Sequence, residues 1–340
     1  MYTVLPLKEQ IETKRPNPIS SRPLRIVIAG GNGQVGTILS RYFHGRGHSV
    51  TVLARETAFT PWRMLAWDGE NLRDWIHELE GADALLNLVG RSVNCRYTMT
   101  NRRQIVESRV KSTRLLGLAI AKLKRPPRVW LNASTATIYQ HALDRPMDEI
   151  TGEIGGHEAN APAAWKFSID VATRWEESFF AAFTPQTRKV ALRSAMIMSP
   201  NRGGIFDTLL RLVRCGLGGT AGSGKQFVSW IHEEDFASAI EFLLAHEELD
   251  GTINVAAPEP LPNREFMRAL RKAWGTRIGL PAREWMLEVG AALLRTETEL
   301  ILKSRRVIPG RLLAAGFGFQ FSEWSAAAKD LVRRRRQQEN

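Results

Sequence analysis

The chain of 340 residues has room for about two structural units, at roughly 150 residues per unit. Apolar residues make up 44% and charged residues 24%, which excludes disorder as the main state of the chain. The net charge of +12 favours an anionic partner without distinguishing phosphate, nucleic acid and acidic lipid. The cysteines are Cys95 and Cys215, too few for a disulfide scaffold or a cysteine-rich zinc site.

The N-terminal segment, residues 1–22, is polar and aperiodic, and it is predicted to be a flexible arm. It has no apolar stretch or cleavage site typical of a secretory signal. No apolar run approaches the roughly 18 to 20 residues that a membrane span requires. We therefore expect a cytoplasmic protein without a membrane span.

From Pro23 onward, apolar runs alternate with helical patterns, and we predict a Rossmann-type, doubly wound parallel sheet of the α/β class over residues 23–200. Two long helices are predicted between strands, Arg102–Leu123 and Ala163–Phe183. The predicted strands are Leu24–Ala29, Ser49–Ala54, Ala84–Val89, Arg128–Ala133 and Lys189–Arg193.

Residues 201–330 are predicted to form a smaller C-terminal α/β lobe, with some segments returning to the first domain. A helix is predicted at Glu234–His246, followed by a short run at Thr252–Ala256 and a helix capped by Asn263. The last residues, 331–340, contain RRRRQQEN and are predicted to be a solvated basic tail.

The segment RIVIAGGNGQVGTILSRYF predicts a phosphate-binding turn, because an apolar strand runs through glycines into a helix. Gly30 permits the tight turn, Gly33 allows a pyrophosphate to approach, and Gly36 allows close helix packing. The free N–H groups of the new helix attract the phosphates. The predicted cofactor contacts in this turn are Gly30, Asn32, Gly33, Gln34, Val35 and Gly36.

Arg55 follows the second predicted strand, where an acidic residue would bind the ribose of NAD. A guanidinium suits a 2′-phosphate, so NADP is favoured over NAD, with an ordinary surface arginine as the alternative. We also predict cofactor contacts over the adenine and its ribose, although turn and strand-cap roles remain open. These further contacts are Asp68, Asn87, Val89 and Gly90.

Six segments together resemble one family: GGNGQVG at 30–36, EGADALLNLVG at 80–90, RRQIVESRV at 102–110, NASTATIY at 132–139, GLGGTAGSGKQFVSWIHEEDF at 216–236 and RVIPGRLLAAGFGFQF at 306–321. By these segments the chain resembles an extended short-chain dehydrogenase/reductase. Within that class it is similar to the epimerase-like subfamily with a C-terminal helical region, sometimes labelled cell-division inhibitor. The resemblance implies an NADP-binding Rossmann domain and a C-terminal lobe that closes a substrate cleft.

The general class transfers a proton through a Tyr-x-x-x-Lys pair on one helix. None of the four tyrosines here has a lysine four positions later, and the matching positions in WKFSIDVATRWEE are Phe167 and Val171. The resemblance places Thr135 at the Ser/Thr position of the class, with a hydroxyl satisfied at a strand end as its alternative role, and Arg109 at the Asn position. Tyr139 and His232 are further candidates for proton transfer.

Four residues are predicted to contact substrate at the boundary with the second lobe: Arg193, Lys225, Trp230 and His232. Arg193 has an ion pair as its alternative role, and Lys225 a solvated turn. GTAGSGK fails as an ATP-binding P-loop, because Gln226 replaces the required hydroxyl and a strand follows. Asp235 is predicted to cap the next helix, and no metal-ligand spacing is present.

Two functions remain open from the sequence. The first is an NADP-dependent oxidoreductase or epimerase on a small polar substrate, with an unconventional proton donor. The second is a non-catalytic NADP-binding regulatory protein, related to cell division, that contacts an unknown protein partner. A nucleic acid is disfavoured as a partner, and a homodimer is compatible with either function.

Overall fold

A computed structural model of the chain describes residues 22–158, 161–283 and 299–339. The predicted arm therefore lies outside the described residues, except for Arg22. Among the helices in those three ranges, none is both long and apolar enough to cross a bilayer.

A seven-stranded parallel sheet forms the centre of the protein, in the order β10-β6-β5-β4-β1-β2-β3. This order confirms the predicted α/β, Rossmann-type class, because β1 pairs with β2 on one side and with β4 on the other, so the strand order reverses at β1. All five predicted strands are present with small shifts at their ends, and β10 is the predicted short run. The strands are β1 Arg25–Ala29, β2 Ser49–Ala54, β3 Arg63–Ala66, β4 Ala84–Asn87, β5 Val129–Thr135, β6 Arg188–Ser194 and β10 Gly251–Val255.

Helices cover both faces of the sheet because alternate strand residues point to opposite faces. Ile28 packs in the cluster that contains Phe43 of α1 and Ile240 of α5. The neighbouring Val27 packs in the opposite cluster with Leu116 of α2. The helices in chain order are α1 Gln34–His44, α2 Met99–Ala121, α3 Ala163–Phe180, α4 Ile205–Arg214, α5 Glu233–Ala245, α6 Asn263–Trp274, α7 Glu299–Leu302, α8 Gly310–Ala314 and α9 Trp324–Glu339.

The second lobe has its own apolar core, formed by α4, α6 and α9 around the stacked rings of Phe266 and Trp324. Two small sheets border it. One pairs β7 (Met196–Met198) with β9 (Trp230–His232), and the other pairs β8 (Phe227–Val228) with β11 (Leu261–Pro262).

The predicted cap of α6 is wrong, because the helix begins at Asn263 itself and follows Pro262. The Asn263 side chain does not cap the helix. Its Oδ1 accepts a hydrogen bond from the backbone N–H of Ala221 at 2.9 Å, so this residue ties α6 to the glycine-rich segment before β8.

The arginine run near the C-terminus is not a solvated tail, which corrects the expectation from its charge. It lies in α9, whose apolar side chains pack in the second core. Arg335 Nη2 lies 2.8 Å from Asp207 Oδ1, and both side chains are buried. Arg334 pairs with Glu233 at the start of α5. The basic run therefore docks the last helix onto α4 and α5.

Arg335→Met should lower the free energy of unfolding by about 3 kcal/mol, because it leaves the buried Asp207 carboxylate without this partner. The control is Arg333→Gln on the exposed side of the same helix, where an exposed ion pair contributes about 1 kcal/mol or less. Chemical denaturation of both variants measures the difference. Equal, small losses in the two variants would contradict the buried docking of α9.

Candidate cofactor and substrate site

The turn between β1 and α1 is built by close backbone contacts that only glycine permits. Gly30 has φ +78°, and a Cβ placed there would lie 2.9 Å from the backbone nitrogen of Val89. A Cβ at Gly36 would lie 2.4 Å from the Cα of Gly31. These contacts hold the first turn of α1 tightly against the carboxyl ends of β1 and β4.

Gly33 differs from these glycines, because a Cβ there would meet no protein atom closer than the Gly30 carbonyl oxygen at 3.9 Å. It is the N-cap of α1, with no side-chain cap and no acidic residue in the first turn. Among the described residues, no side chain caps the first amides of α1, so they are available to an anion that approaches beside Gly33.

The end of β2 lies beside this turn. Asn32 Nδ2 donates to the Glu56 carbonyl oxygen at 2.5 Å, which fixes the loop after the strand. The adjacent Arg55 side chain is exposed, and the described residues offer it no ion pair. Its guanidinium can therefore bind a phosphate group without first breaking a salt bridge.

Two predicted cofactor residues make contacts within the protein. Asp68 accepts hydrogen bonds from Asn71 and Glu70, and these bonds lower its pKa to about 2. Asn87 is fully buried and donates to Asn132 Oδ1 and Thr113 Oγ1 at 2.7 and 3.0 Å. Asp68 thus shapes its own turn, and Asn87 fixes the end of β4. Direct cofactor contact by either residue stays a prediction.

The loop after β4 brings Gly90 against Arg109 of α2. A Cβ at Gly90 would lie 2.9 Å from the Arg109 Cζ. Arg109 Nη1 donates to the carbonyl oxygens of Arg91 and Ile105, both at 3.0 Å, and the guanidinium lies over the Trp175 ring. Burial lowers the Arg109 pKa to about 10, so it is a cation at neutral pH.

A cavity of about 300 Å³ opens at the carboxyl edge of the sheet, between the glycine turn and α3. Of the predicted residues, it is lined by Val35, Thr135 and Arg109. Phe167 and Val171, at the positions of the absent Tyr-Lys pair, also line it. Trp165 does not block the cavity, because its ring stacks on His141 at a centroid distance of 4.9 Å. Within the described ranges, Trp165 therefore leaves the cleft open.

Several polar residues of the cavity wall were not predicted from the sequence, among them Tyr97, Ser168 and Glu299. Ser168, next to Phe167 on α3, donates a hydrogen bond to Glu299 Oε2. The Tyr97 Oη lies 3.3 Å from the Ser168 Oγ. The three residues are far apart in the chain, and Tyr97 does not match the Tyr-x-x-x-Lys pattern because Asn101 stands four positions after it. The only sequence signal was a hydroxyl residue beside the Tyr position.

The C-terminal segment that carries Glu299 is held at the cavity by hydrogen bonds to Thr137. Lys303 Nζ donates to the Thr137 carbonyl oxygen at 2.6 Å, and Arg305 Nε donates to its Oγ1 at 3.0 Å. Arg305 also pairs with Glu299 at 3.5 Å. The second lobe therefore supplies a buried carboxylate to a cleft of the first domain.

The structure does not bring Tyr139 or Arg193 to the cavity. The Tyr139 Oη donates to Asn254 Oδ1 at 2.9 Å and accepts from Arg193 Nη1 at 3.0 Å. Arg193 binds both oxygens of Glu176, at 2.9 and 2.8 Å. Burial raises the Tyr139 pKa, which disfavours a phenolate. These contacts favour a structural network, and for Arg193 the ion-pair alternative.

His232 also lies in the interior, as the N-cap of α5. Its Nδ1 accepts from the Glu234 N–H at 3.1 Å, and its Nε2 lies 3.3 Å from Asp330 Oδ2. Burial lowers its pKa to about 4. The prediction that Asp235 caps this helix is wrong, because its carboxylate accepts N–H bonds from Gln320 and Phe321.

The remaining two predicted substrate residues lie outside the cavity wall. Trp230 is buried in the second core, where its Nε1 donates to the Glu259 carbonyl oxygen at 3.2 Å. Lys225 is exposed in the turn before β8, consistent with the alternative of a solvated turn. Substrate contact by these residues stays a prediction.

The parallel sheet, the glycine turn and the cavity at its carboxyl edge together define a Rossmann-type protein of the extended short-chain dehydrogenase/reductase class. The chain belongs to the NAD dependent epimerase/dehydratase family, which matches residues 26–256. A second family, the domain of unknown function DUF1731, matches residues 284–331.

Related proteins match over nearly the whole chain. The human epimerase family protein SDR39U1 is 32% identical over 91% of this chain and 100% of its own. Its crystal structure with NADPH has a TM-score of 0.79 and 30% identity, over 91% of this chain and 99% of that one. A nucleoside-diphosphate sugar epimerase from Corynebacterium glutamicum has a TM-score of 0.71 and 25% identity, over 92% of this chain and 58% of that one.

Proposed function

We propose that this protein is an NADP(H)-dependent oxidoreductase or epimerase that acts on a small polar substrate. One observation carries the proposal: an open cavity adjoins the glycine turn, and its wall contains the Ser168–Glu299 pair. The NADPH in the structure of the human relative supports the choice of cofactor.

The residues of the turn fit a dinucleotide. The amides that open α1 would bind the diphosphate beside Gly33, and Arg55 would bind the 2′-phosphate of NADP. When bound, the nicotinamide supplies hydride chemistry at the cavity. Val35 is both part of the turn and part of the cavity wall, so the two sites are continuous.

Arg55→Asp should raise the Kd for NADPH at least about tenfold and bring it near that for NADH, because a charge-assisted hydrogen bond to phosphate is lost. Isothermal titration calorimetry with both dinucleotides measures the change. Arg114→Asp, on the exposed face of α2, alters the net charge equally and should leave both Kd values unchanged. An unchanged ratio in Arg55→Asp would remove this residue from cofactor selection.

Ser168 and Glu299 take over the proton transfer that Phe167 and Val171 cannot perform. When a substrate hydroxyl is oxidised, the Ser168 Oγ accepts its proton and passes its own to the Glu299 carboxylate. Reduction of a carbonyl runs the same path in reverse. Arg305 holds Glu299 in place and offsets its charge. The hydrogen bond from Ser168 to Glu299 gives the path along which the proton moves.

Ser168→Ala and Glu299→Gln should each lower kcat about 100-fold, and Glu299→Gln should also flatten its pH dependence, because an amide cannot accept the proton. The assay follows NADPH oxidation with a panel of small carbonyl compounds. Ser194→Ala is the matched control, since Ser194 lines the same cavity and its hydroxyl bonds only the Leu192 carbonyl oxygen among the described residues. A wild-type pH profile in Glu299→Gln would exclude Glu299 from proton transfer.

The second candidate, a non-catalytic NADP-binding regulatory protein, is favoured by the apolar residues Phe167 and Val171 at the usual catalytic positions. The same assay separates the two candidates. Saturable NADPH binding without turnover of any carbonyl or alcohol would support the regulatory function. Turnover that depends on Ser168 would support the enzyme.

A further inference from the structure

We infer that the cavity takes a substrate with a carboxylate on a short apolar body, and that Arg109 binds the carboxylate. This inference rests on the proposed function, because it names the substrate class of the same cavity. It is carried by a half-buried cation in the wall whose contacts leave one edge of its guanidinium unused.

The contacts of Arg109 orient its guanidinium in the cavity wall. Nη1 donates to two backbone carbonyl oxygens, and the plane of the group is near the Trp175 ring. Within the described ranges, no acceptor bonds to Nε or Nη2, and no carboxylate pairs with the group. The N–H groups of Nε and Nη2 point in the same direction, at the spacing that binds both oxygens of a carboxylate.

The Arg109 guanidinium is half-buried and has no carboxylate partner among the described residues, so an oxyanion that enters the cavity gains an electrostatic partner that is already in place. The other charged residue of the described wall, Glu299, is paired with Arg305 and repels an incoming anion less than a free carboxylate would. Arg109 therefore sets the preference of the cavity for an anion.

The rest of the wall limits the body of the substrate. Apolar side chains predominate, and a chain of a few carbons fits the volume of about 300 Å³. The apolar residues include Val93, Ile105, Val171, Ile197 and Phe236. A phosphate of the cofactor is the other source of an oxyanion for Arg109. The diphosphate has its own amides at the start of α1, so we assign Arg109 to the substrate.

The test titrates the NADP⁺-saturated protein with 4-methyl-2-oxopentanoate and with its neutral methyl ester, by isothermal titration calorimetry. Neither compound can accept hydride from the oxidised cofactor, so the experiment measures binding alone. The wild-type protein should bind the acid at least about tenfold more tightly than the ester, as expected for a charge-assisted pair. Arg109→Met should abolish this preference with an unchanged Kd for NADP⁺, and Arg109→Lys should keep part of it.

Equal binding of acid and ester by the wild-type protein would overturn the inference, and so would an acid preference that survives in Arg109→Met. Weaker NADP⁺ binding in both Arg109→Met and Arg109→Lys would also overturn it, because that result would assign the guanidinium to a cofactor phosphate. Circular dichroism and thermal melting check that both variants fold. If the wild-type protein binds no NADP⁺, the proposed function fails. The acid and the ester are then compared on the protein alone, where equal binding overturns the inference separately.

Discussion

The close approach of the β1–α1 turn to the loop after β4 is the constraint on which the site depends. Gly30 lies against the backbone of Val89, and Gly36 lies against Gly31. A side chain at either position would push the helix away from the sheet. With glycine there, the uncapped amides of α1 face the carboxyl edge and lie beside the cavity. The proposed cofactor site and the proposed substrate site therefore share one piece of backbone.

The sequence was sufficient for the architecture because local patterns encode it. Each strand of a doubly covered sheet must be apolar on both faces, and Ile28 and Val27 of β1 pack on opposite helices. The spacing of Gly30, Gly33 and Gly36 likewise indicates close backbone contacts in the turn between β1 and α1. A run of charged residues has no such pattern. Whether Arg335 is solvated depends on its distance from Asp207 of α4, and that distance cannot be predicted from the sequence.

The candidate site was harder to predict for the same reason. Arg193 and His232 suggested chemistry by residue type, yet Arg193 pairs with the buried Glu176 and His232 lies beside the half-buried Asp330. The polar wall of the cavity instead joins Tyr97, Ser168 and Glu299, which are 71 and 131 positions apart. Such a cluster exists only after the second lobe docks on the first. The C-terminal lobe therefore contributes a carboxylate to the cavity wall.

Gly33→Val tests the central claim most directly. The backbone at Gly33 is extended, and a Cβ there would meet no protein atom within 3.4 Å, so the fold should tolerate valine. The side chain would instead fill the space assigned to the diphosphate. We predict an unchanged melting temperature and a Kd for NADPH raised at least about tenfold. Wild-type affinity in this variant, or no saturable NADPH binding by the wild-type protein, would contradict the account.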